Sequence, residues 1–421
     1  MRRLASIAAL VALTLVPAAA SAPSDYPDVT QFVPIAAGAY EVANRPTDLF
    51  IKYIVIHDTE GNYPTTFSIF TSPTACCSVH YLVDGQAGAS YPAVSQFVHD
   101  RDIAYHAGNF WFNQHSIGIE HDGFADGPVG FYTPQMYKRS ATLAGWIAAQ
   151  YGIPIDRAHI VSHANLPGPN QSFTSGMHWD PGPFWDWPYY MKLVRLAYKG
   201  WTKKSFPTPE VPRRYRKTRP SIRTISVGKE FAAASDVTDW SSSRHVEFAN
   251  VYAEPPDELL LGASDPTTWT SPTVYNVRDW ICDNLPNVTS ANGMDQLSDQ
   301  RAKADWGEAF VKIGKSRRIG GVLYDRIWFN GVRGWVKRRE TSNGWGVIAT
   351  FKTGVTMYGK PILAASNEIC PDMPFELSQG RAGQSYVAQT TATDPASNTL
   401  FYGIFYNHRL AWVPASEVTI R

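Results

Sequence analysis

The residue pattern of the chain changes at a basic, proline-containing segment, and this change limits the fold more than any other feature. Between Trp201 and Arg223 lie eight lysines and arginines, four prolines and a single acidic residue. Such a composition is typical of an extended linker. It is either a solvated tether or a contact for anionic polymers. We predict an α/β domain at residues 26–200, a linker at 201–228 and an all-β region from residue 229 to the end.

The first domain is predicted to contain a mixed sheet flanked by helices. Phe50–Ile56 is a nearly continuous apolar run, typical of a strand buried on both faces. Three further strands are predicted at Ser78–Asp84, Ser116–Asp122 and Ala158–Ser162. Thr133 and Pro134 open a helix as N-cap and first residue, and Gly152 closes it. A last helix is predicted from Trp187 to Tyr198.

The all-β region repeats itself. Residues 328–336 (WFNGVRGWV) resemble residues 405–413 (FYNHRLAWV), and ICDNLP at 281–286 matches ICPDMP at 369–374. Two matches in the same order predict a duplicated module, with one copy within 229–340 and the other within 341–421. Cys282 and Cys370 hold matching places and can pair only if the copies face each other. The adjacent Cys76 and Cys77 are either buried thiols or a vicinal disulfide.

The N-terminus has the form of a secretory signal peptide at residues 1–22. Arg2 and Arg3 precede an apolar run, and Ala20-Ser21-Ala22 supplies the small residues of a cleavage site. The run is shorter than the roughly 20 residues of a spanning helix. We therefore expect a secreted protein without a membrane span, with an uncleaved anchor as the alternative. The formal net charge of +1 gives no reason to expect a nucleic-acid partner.

Histidine is concentrated in the α/β domain, where nine of the eleven lie between His57 and His178. A zinc hydrolase needs three protein ligands and an open position. His57 follows one predicted strand, His163 follows another, and Asp180 lies in HWDPG soon after. Taken singly, each also has a structural explanation: a capping histidine, a loop histidine and an aspartate that begins a Pro-Gly turn.

Taken together, the motifs IVIHDTEG, SVHYLVD, AYHAG, HSIGIEHDG, HANLPG and HWDPGPFWDW occur in one order. This series resembles the zinc N-acetylmuramoyl-L-alanine amidases related to peptidoglycan recognition proteins and to the amidase-type phage lysozyme, over residues 28–200. The resemblance implies one zinc ion per chain, with ligands at the positions of His57, His163 and Asp180. It places the catalytic glutamate on Glu120. His178 stands where many members carry a catalytic lysine.

The roles that this resemblance implies are chemically reasonable. Glu120 would take a proton from water and return it to the leaving nitrogen, and His178 would stabilise the oxyanion. We expect Gly118, on the same side of its strand as Glu120, to leave room for substrate. His80 and His106 lie in family motifs and are predicted to line the substrate groove or to brace it. His159 is the alternative zinc ligand, and the remaining histidines of the domain are expected to be structural: His99, His115 and His121.

The resemblance implies cleavage of the amide bond between N-acetylmuramic acid and L-alanine in peptidoglycan or muropeptides. Two alternatives keep the fold: a non-catalytic peptidoglycan-binding or wall-adhesion protein, and a zinc hydrolase acting on another acyl amide. The Asn-Gly-x-x-Gly-Trp-Val phrase at residues 330–336 makes the β repeats resemble bacterial Src-homology-3-like wall-targeting modules. Anionic wall polymers are a second expected partner, through the linker and the repeats.

Overall fold

A computed structural model describes residues 24–75, 77–85, 92–125, 132–169, 177–178, 180–182, 184–202, 222–225, 248–250, 303–329, 331–344, 346–363, 368–369, 380–406 and 409–421. The predicted signal peptide, most of the linker, Cys76, Cys282 and Cys370 lie outside these ranges, so the predictions made for them stay predictions. Across the described residues, no helix combines the length and the apolar character needed to span a bilayer.

The α/β domain contains the predicted mixed sheet. Its strands are β1 (Gln31–Phe32), β3 (Tyr53–Ile56), β4 (Tyr81–Val83), β5 (Val94–Gln96), β7 (Ser116–His121) and β8 (Ile160–Ser162), while β2 (Tyr40–Glu41) and β6 (Ile103–Ala104) form a separate pair. The sheet order is β1-β5-β4-β7-β3-β8. The four strands β4, β7, β3 and β8 run parallel, and β5 is antiparallel to β4. The first predicted strand begins later than expected, because Phe50 is 72% exposed and lies outside the sheet.

Among the described residues, four α-helices accompany this sheet: α1 (Tyr63–Thr71), α2 (Phe110–His115), α3 (Pro134–Tyr151) and α4 (Trp187–Thr202). The predicted boundaries of α3 are confirmed. The Thr133 hydroxyl accepts a hydrogen bond from Met136 N, and Gly152 ends the helix with a φ of 70°. Helix α4 packs against α3 so closely that a Cβ on Gly145 would lie 2.6 Å from the Ala197 Cβ. The two helices and the sheet enclose the main apolar core.

The β region begins earlier than predicted. Strand β9 (Ile222–Ile225) lies inside the predicted linker, because its extended backbone pairs with two later strands. The first repeat then contains β10 (Phe248–Asn250), β11 (Lys303–Asp305), β12 (Ala309–Ile319), β13 (Val322–Phe329), β14 (Val332–Lys337) and β15 (Thr341–Gly344). Its main sheet has the order β14-β13-β12-β9-β15. Strand β15 also extends the first repeat beyond residue 340, the predicted boundary.

The second repeat has the same strand order. Its strands are β16 (Val347–Phe351), β17 (Met357–Tyr358), β18 (Glu368–Ile369), β19 (Ser385–Thr393), β20 (Leu400–Phe405), β21 (Leu410–Pro414) and β22 (Val418–Ile420). The order β21-β20-β19-β16-β22 repeats that of the first copy, and a 3-10 turn precedes the last strand in each. The register also agrees, because Arg326 faces Trp335 and Gly403 faces Trp412. The predicted duplication therefore extends to topology and register.

The second repeat packs directly against the α/β domain. One buried apolar cluster contains residues of both, with Tyr53, Trp111 and Leu166 on one side and Phe401 and Trp412 on the other. The rings of Trp111 and Trp412 meet edge to face with centroids 5.1 Å apart. Tyr53 Oη also lies 3.2 Å from Thr390 Oγ1. The second repeat therefore shares a core with the α/β domain. Independent domains joined only by a solvated tether would not share one.

Candidate functional site

The polar residues of the site follow three neighbouring parallel strands at the same level. Ile56 of β3 pairs with Ile119 of β7 on one side and with Ser162 of β8 on the other. The residues that come next in the three strands are Glu120, His57 and His163. Because paired positions in parallel strands point to the same face, these three side chains form one row. They lie toward the carboxyl ends of the strands, where α/β sheets commonly bind ligands.

Asp180 completes this row from the loop before α4. Its Oδ2 lies 3.1 Å from His57 Nδ1, and its Oδ1 lies 3.0 Å from His163 Nδ1. One ligand atom from each of the three residues lies within 4.8 Å of the others. All three side chains are buried. The predicted ligand set is therefore assembled in space.

The protonation of this cluster suits a metal ion. Burial lowers the pKa of His57 to about 4, so its imidazole is neutral and can donate a lone pair. Burial alone would raise the pKa of Asp180, but the neighbouring His163 and His57 outweigh it and hold the pKa below its usual value. Within the described ranges, His163 Nε2 is buried without a hydrogen-bond partner. A buried unpaired polar atom costs about 1–3 kcal/mol, and a bound cation would offset that cost.

A chain of hydrogen bonds orients His57. Its Nε2 lies 3.0 Å from His106 Nδ1, and His106 Nε2 lies 3.2 Å from the Ser116 hydroxyl. That hydroxyl donates to Phe112 O at 2.6 Å. With the hydroxyl proton used there, the tautomer that completes the chain has His106 donating from Nε2 and accepting from His57 at Nδ1. The proton of His57 then sits on Nε2, which leaves its Nδ1 lone pair directed toward Asp180.

His106 therefore braces His57, a predicted ligand, and it also fills the space beside Gly118. A Cβ on Gly118 would lie 2.7 Å from the imidazole of His106. The prediction that Gly118 leaves room for substrate is wrong, because the missing side chain makes room for this ring instead.

His80 is likewise a bracing residue. It is fully buried, its Nδ1 accepts from Gly118 N at 3.1 Å, and its Nε2 lies 3.2 Å from Asp102 O. Of the two roles predicted for His80, lining the groove or bracing it, its complete burial favours bracing. Its role is to hold β7 against the segment that contains Asp102.

Glu120 has the properties of a proton-transfer group. Its Oε2 is buried and has no hydrogen-bond partner within the described part of the chain. Burial raises its pKa well above the usual value, and the nearby carboxylates of Asp180, Asp58 and Glu60 raise it further. A carboxylate in these surroundings is a stronger base than one in water, and it holds a proton more readily.

His178 lies at the open edge of the site, and its side chain is 67% exposed. Its Nδ1 is 3.7 Å from Asp180 Oδ1, and its ring centroid is 5.2 Å from that of His163. Partial burial and the neighbouring His163 lower the pKa of His178. It is therefore neutral near pH 7 and can donate a hydrogen bond to a ligand without carrying a charge.

The remaining histidines lie apart from the cluster. His159, the alternative ligand, is paired with Asp156 at 2.7 Å, so it is not a ligand in this arrangement. His121 Nδ1 lies 2.7 Å from His57 O, and its Nε2 lies 2.7 Å from Ser140 Oγ. His99 lies 3.0 Å from Asp25. These contacts agree with the structural roles that the sequence predicts for His99 and His121.

Sequence reasoning missed two residues that shape the site. Asp58 directly follows His57; its backbone N–H donates to Asp180 Oδ2 at 3.3 Å, and its carboxylate accepts from the Tyr132 hydroxyl. The polar string after β3 was a usable signal for Asp58. Arg409 of the second repeat donates to His178 O, beside Asp180. Nothing in the sequence around Arg409 indicates that it reaches this site.

Comparisons with known proteins agree on the α/β domain. The family model described as N-acetylmuramoyl-L-alanine amidase matches residues 46–183. N-acetylmuramoyl-L-alanine amidase A of Achromobacter lyticus is 30% identical over 174 residues, which cover 38% of this chain and 90% of that protein.

Two solved structures are similar to part of the chain. A crystal structure of AmpD is 26% identical and covers 39% of this chain and 93% of that one, with a TM-score of 0.30. The amidase AmiD from E. coli, solved with anhydro-N-acetylmuramic acid-L-Ala-D-γ-Glu-L-Lys, is 22% identical. It covers 43% of this chain and 66% of that one, with a TM-score of 0.28.

Proposed function

The chain belongs to the N-acetylmuramoyl-L-alanine amidase family, and from this we propose that it is a secreted zinc hydrolase of peptidoglycan. In this proposal it cleaves the amide bond between N-acetylmuramic acid and L-alanine. The observation that carries the proposal is the row of Glu120, His57 and His163 on adjacent strands, closed by Asp180. Secretion rests on the charged, apolar and small-residue segments of residues 1–22.

His57, His163 and Asp180 would hold the zinc ion, and the histidine–serine chain would keep the His57 lone pair directed at it. Two imidazoles and a carboxylate form a common ligand set of catalytic zinc. When bound, zinc polarises the scissile carbonyl and makes water a better nucleophile near neutral pH.

The remaining steps belong to protein side chains. Glu120 accepts a proton from the attacking water and delivers it to the alanine nitrogen as the carbon–nitrogen bond breaks. The products are a free carboxyl group on the muramic acid and a free amine on the stem peptide. His178 donates a hydrogen bond to the oxyanion that forms at the carbonyl.

Mass spectrometry of muropeptides digested with the mature protein tests this function. We expect the intact stem peptide, with a free alanine amine, and the sugar without its peptide. Cleavage within the stem peptide would contradict the assigned bond. Binding of muropeptides without any product would favour the alternative, a non-catalytic recognition protein of the same fold. The complete ligand set favours catalysis over this alternative.

For the β repeats, we propose Src-homology-3-like modules that bind anionic wall polymers. Two features support this assignment: a five-strand order that forms the sheet of the first repeat and recurs within the seven-stranded sheet of the second, and the 3-10 turn before each last strand. In the first repeat, Arg317 and Arg326 lie over the Trp335 ring at 5.4 and 5.3 Å, and Arg333 lies over Trp328 at 5.2 Å. Guanidinium groups backed by indole rings suit a phosphate-rich chain.

Co-sedimentation with purified walls, before and after removal of their phosphate polymers, tests this partner. We expect binding to fall after that removal and to weaken with salt. The double variant Arg317→Gln/Arg333→Gln should bind intact walls less tightly than a control with Lys352→Gln, an exposed cation of the second repeat. Equal binding by the wild type, the double variant and the Lys352→Gln control would contradict the assignment.

A further inference from the structure

Arg409 of the second β repeat contacts both loop segments that carry the acidic ligand and one histidine ligand. Its side chain is fully buried. One guanidinium nitrogen donates to Leu166 O, and another donates to His178 O at 3.3 Å. Leu166 directly follows the 3-10 turn that holds His163, and His178 precedes Asp180 by two residues. A single side chain therefore joins the backbones on either side of the ligand cluster.

These two segments receive little support from regular secondary structure. Residues 166–169 and 177–178 belong to no helix or strand. Within the described residues no sheet ladder joins the His163 turn to Asp180; one backbone hydrogen bond links them, from Ala164 N to Asp180 O at 3.1 Å. A planar guanidinium with several donors at fixed angles is suited to holding two carbonyl groups at a set separation.

The β module itself does not require an arginine at this position. Tyr406 and Arg409 close the β20–β21 hairpin through the bond from Tyr406 N to Arg409 O. In the first repeat, the corresponding pair in the same register is Phe329 and Val332. The two copies share topology and register but differ here in residue type. The arginine is present in the second repeat, whose core is shared with the α/β domain, and a valine stands at the matching position of the first.

Other contacts attach the β region to the same place. Asn109 donates to Pro167 O at 3.2 Å and to Gly359 O of the second repeat at 2.9 Å. From the first repeat, Glu308 Oε1 accepts from Asn165 Nδ2 at 3.3 Å, within the 3-10 turn that begins at His163. Both repeats therefore reach the segment that follows the ligand His163.

We propose that Arg409 is a positioning residue of the amidase centre, through which the second β repeat helps to set the spacing between the His163 turn and Asp180. The repeat is then a structural part of the active site as well as a wall-binding module. This inference rests on the proposed zinc site. Loss of the guanidinium should let the two segments separate, which weakens metal binding and misplaces His178 beside the reacting carbonyl.

The test compares Arg409→Met, which keeps an unbranched apolar stem but removes the donors, with Arg409→Lys, which keeps the charge. The matched control is Arg195→Met, an exposed arginine on α4. Three quantities are measured on the full mature chain: the zinc dissociation constant in competition with a chelator, kcat and KM on a soluble muropeptide, and the thermal midpoint. Altered support of metal ligands typically costs about 10–100-fold in affinity or activity.

We expect Arg409→Met to weaken zinc binding and to lower kcat by about 10-fold each, with a much smaller change in KM. Arg409→Lys should recover part of both losses, and Arg195→Met should match the wild type. A folded Arg409→Met variant with wild-type zinc affinity and kcat, changed only in thermal midpoint, would overturn the proposal. If Arg409→Met does not fold, the same quantities for Arg409→Lys decide the question. If the wild type binds zinc but releases no peptide, the amidase function fails while the zinc comparison still tests Arg409.

Discussion

Replacing Trp412 by alanine should destabilise the catalytic domain although the residue belongs to the second repeat. Trp412 is fully buried, and its ring meets Trp111 of helix α2 edge to face at 5.1 Å. Truncating a buried tryptophan to alanine costs about 3–5 kcal/mol, of which an aromatic pair contributes roughly 0.5–1.5 kcal/mol. The cavity opens in the core shared with the α/β domain. We therefore expect a loss of about 4 kcal/mol in the free energy of unfolding that domain.

The matched control is Trp335→Ala, the same position in the first repeat. Trp335 is 4% exposed, and it packs in a core made only of first-repeat residues. The two variants lose the same side chain from the same site of a duplicated module. They differ in their surroundings: Trp412 packs in a core shared with the α/β domain, and Trp335 packs in the core of its own repeat.

The assay follows muropeptide cleavage across a urea series. With a slope of about 1–3 kcal/mol per molar urea, a loss of about 4 kcal/mol lowers the midpoint of activity by roughly 2 M. We expect this shift for Trp412→Ala and a clearly smaller one for Trp335→Ala. An unchanged activity midpoint for Trp412→Ala would refute the shared core as a source of stability.

Three further predictions concern the site and its surroundings. Glu120→Gln should keep zinc but lower kcat by about 100-fold or more, because the amide cannot carry the proton. The control is Glu41→Gln, which changes an exposed carboxylate. Near-normal turnover of Glu120→Gln would exclude Glu120 as the proton-transfer group. Ser116→Ala removes the acceptor of the His106 proton, so zinc affinity should fall by about 10-fold, as chelator competition would reveal. Burial raises the pKa of Asp100 from 3.8 to about 7, so the unfolded chain releases this proton at lower pH than the folded one. The free energy of unfolding should therefore fall as the pH rises from about 4 to about 7, by up to about 1.4 kcal/mol per pH unit. Urea titrations at several pH values should show a weaker pH dependence of this free energy for Asp100→Asn.

The sequence alone was sufficient where local chemistry decides the structure. The caps of α3 at Thr133 and Gly152 follow from backbone groups within a few residues, and so they were predictable. The predicted ligand set rested on the ordered motifs and the family that they resemble, because the strand ends alone left His57 and His163 with a structural explanation each. The duplication was also visible, because both copies kept the residues of the same hairpin.

Long-range packing decided what the sequence could not reveal. A missing side chain at Gly118 suggests free space, but only the fold shows that the His106 ring fills it. His80 lies in a motif typical of a site, yet its position between β7 and Asp102 makes it a brace. The docking of the second repeat depends on two apolar surfaces far apart in the chain, Trp111 and Trp412 among them. Residue patterns show that such surfaces are apolar, but which surface covers which is decided by complementary shape, and that exists only in the folded protein.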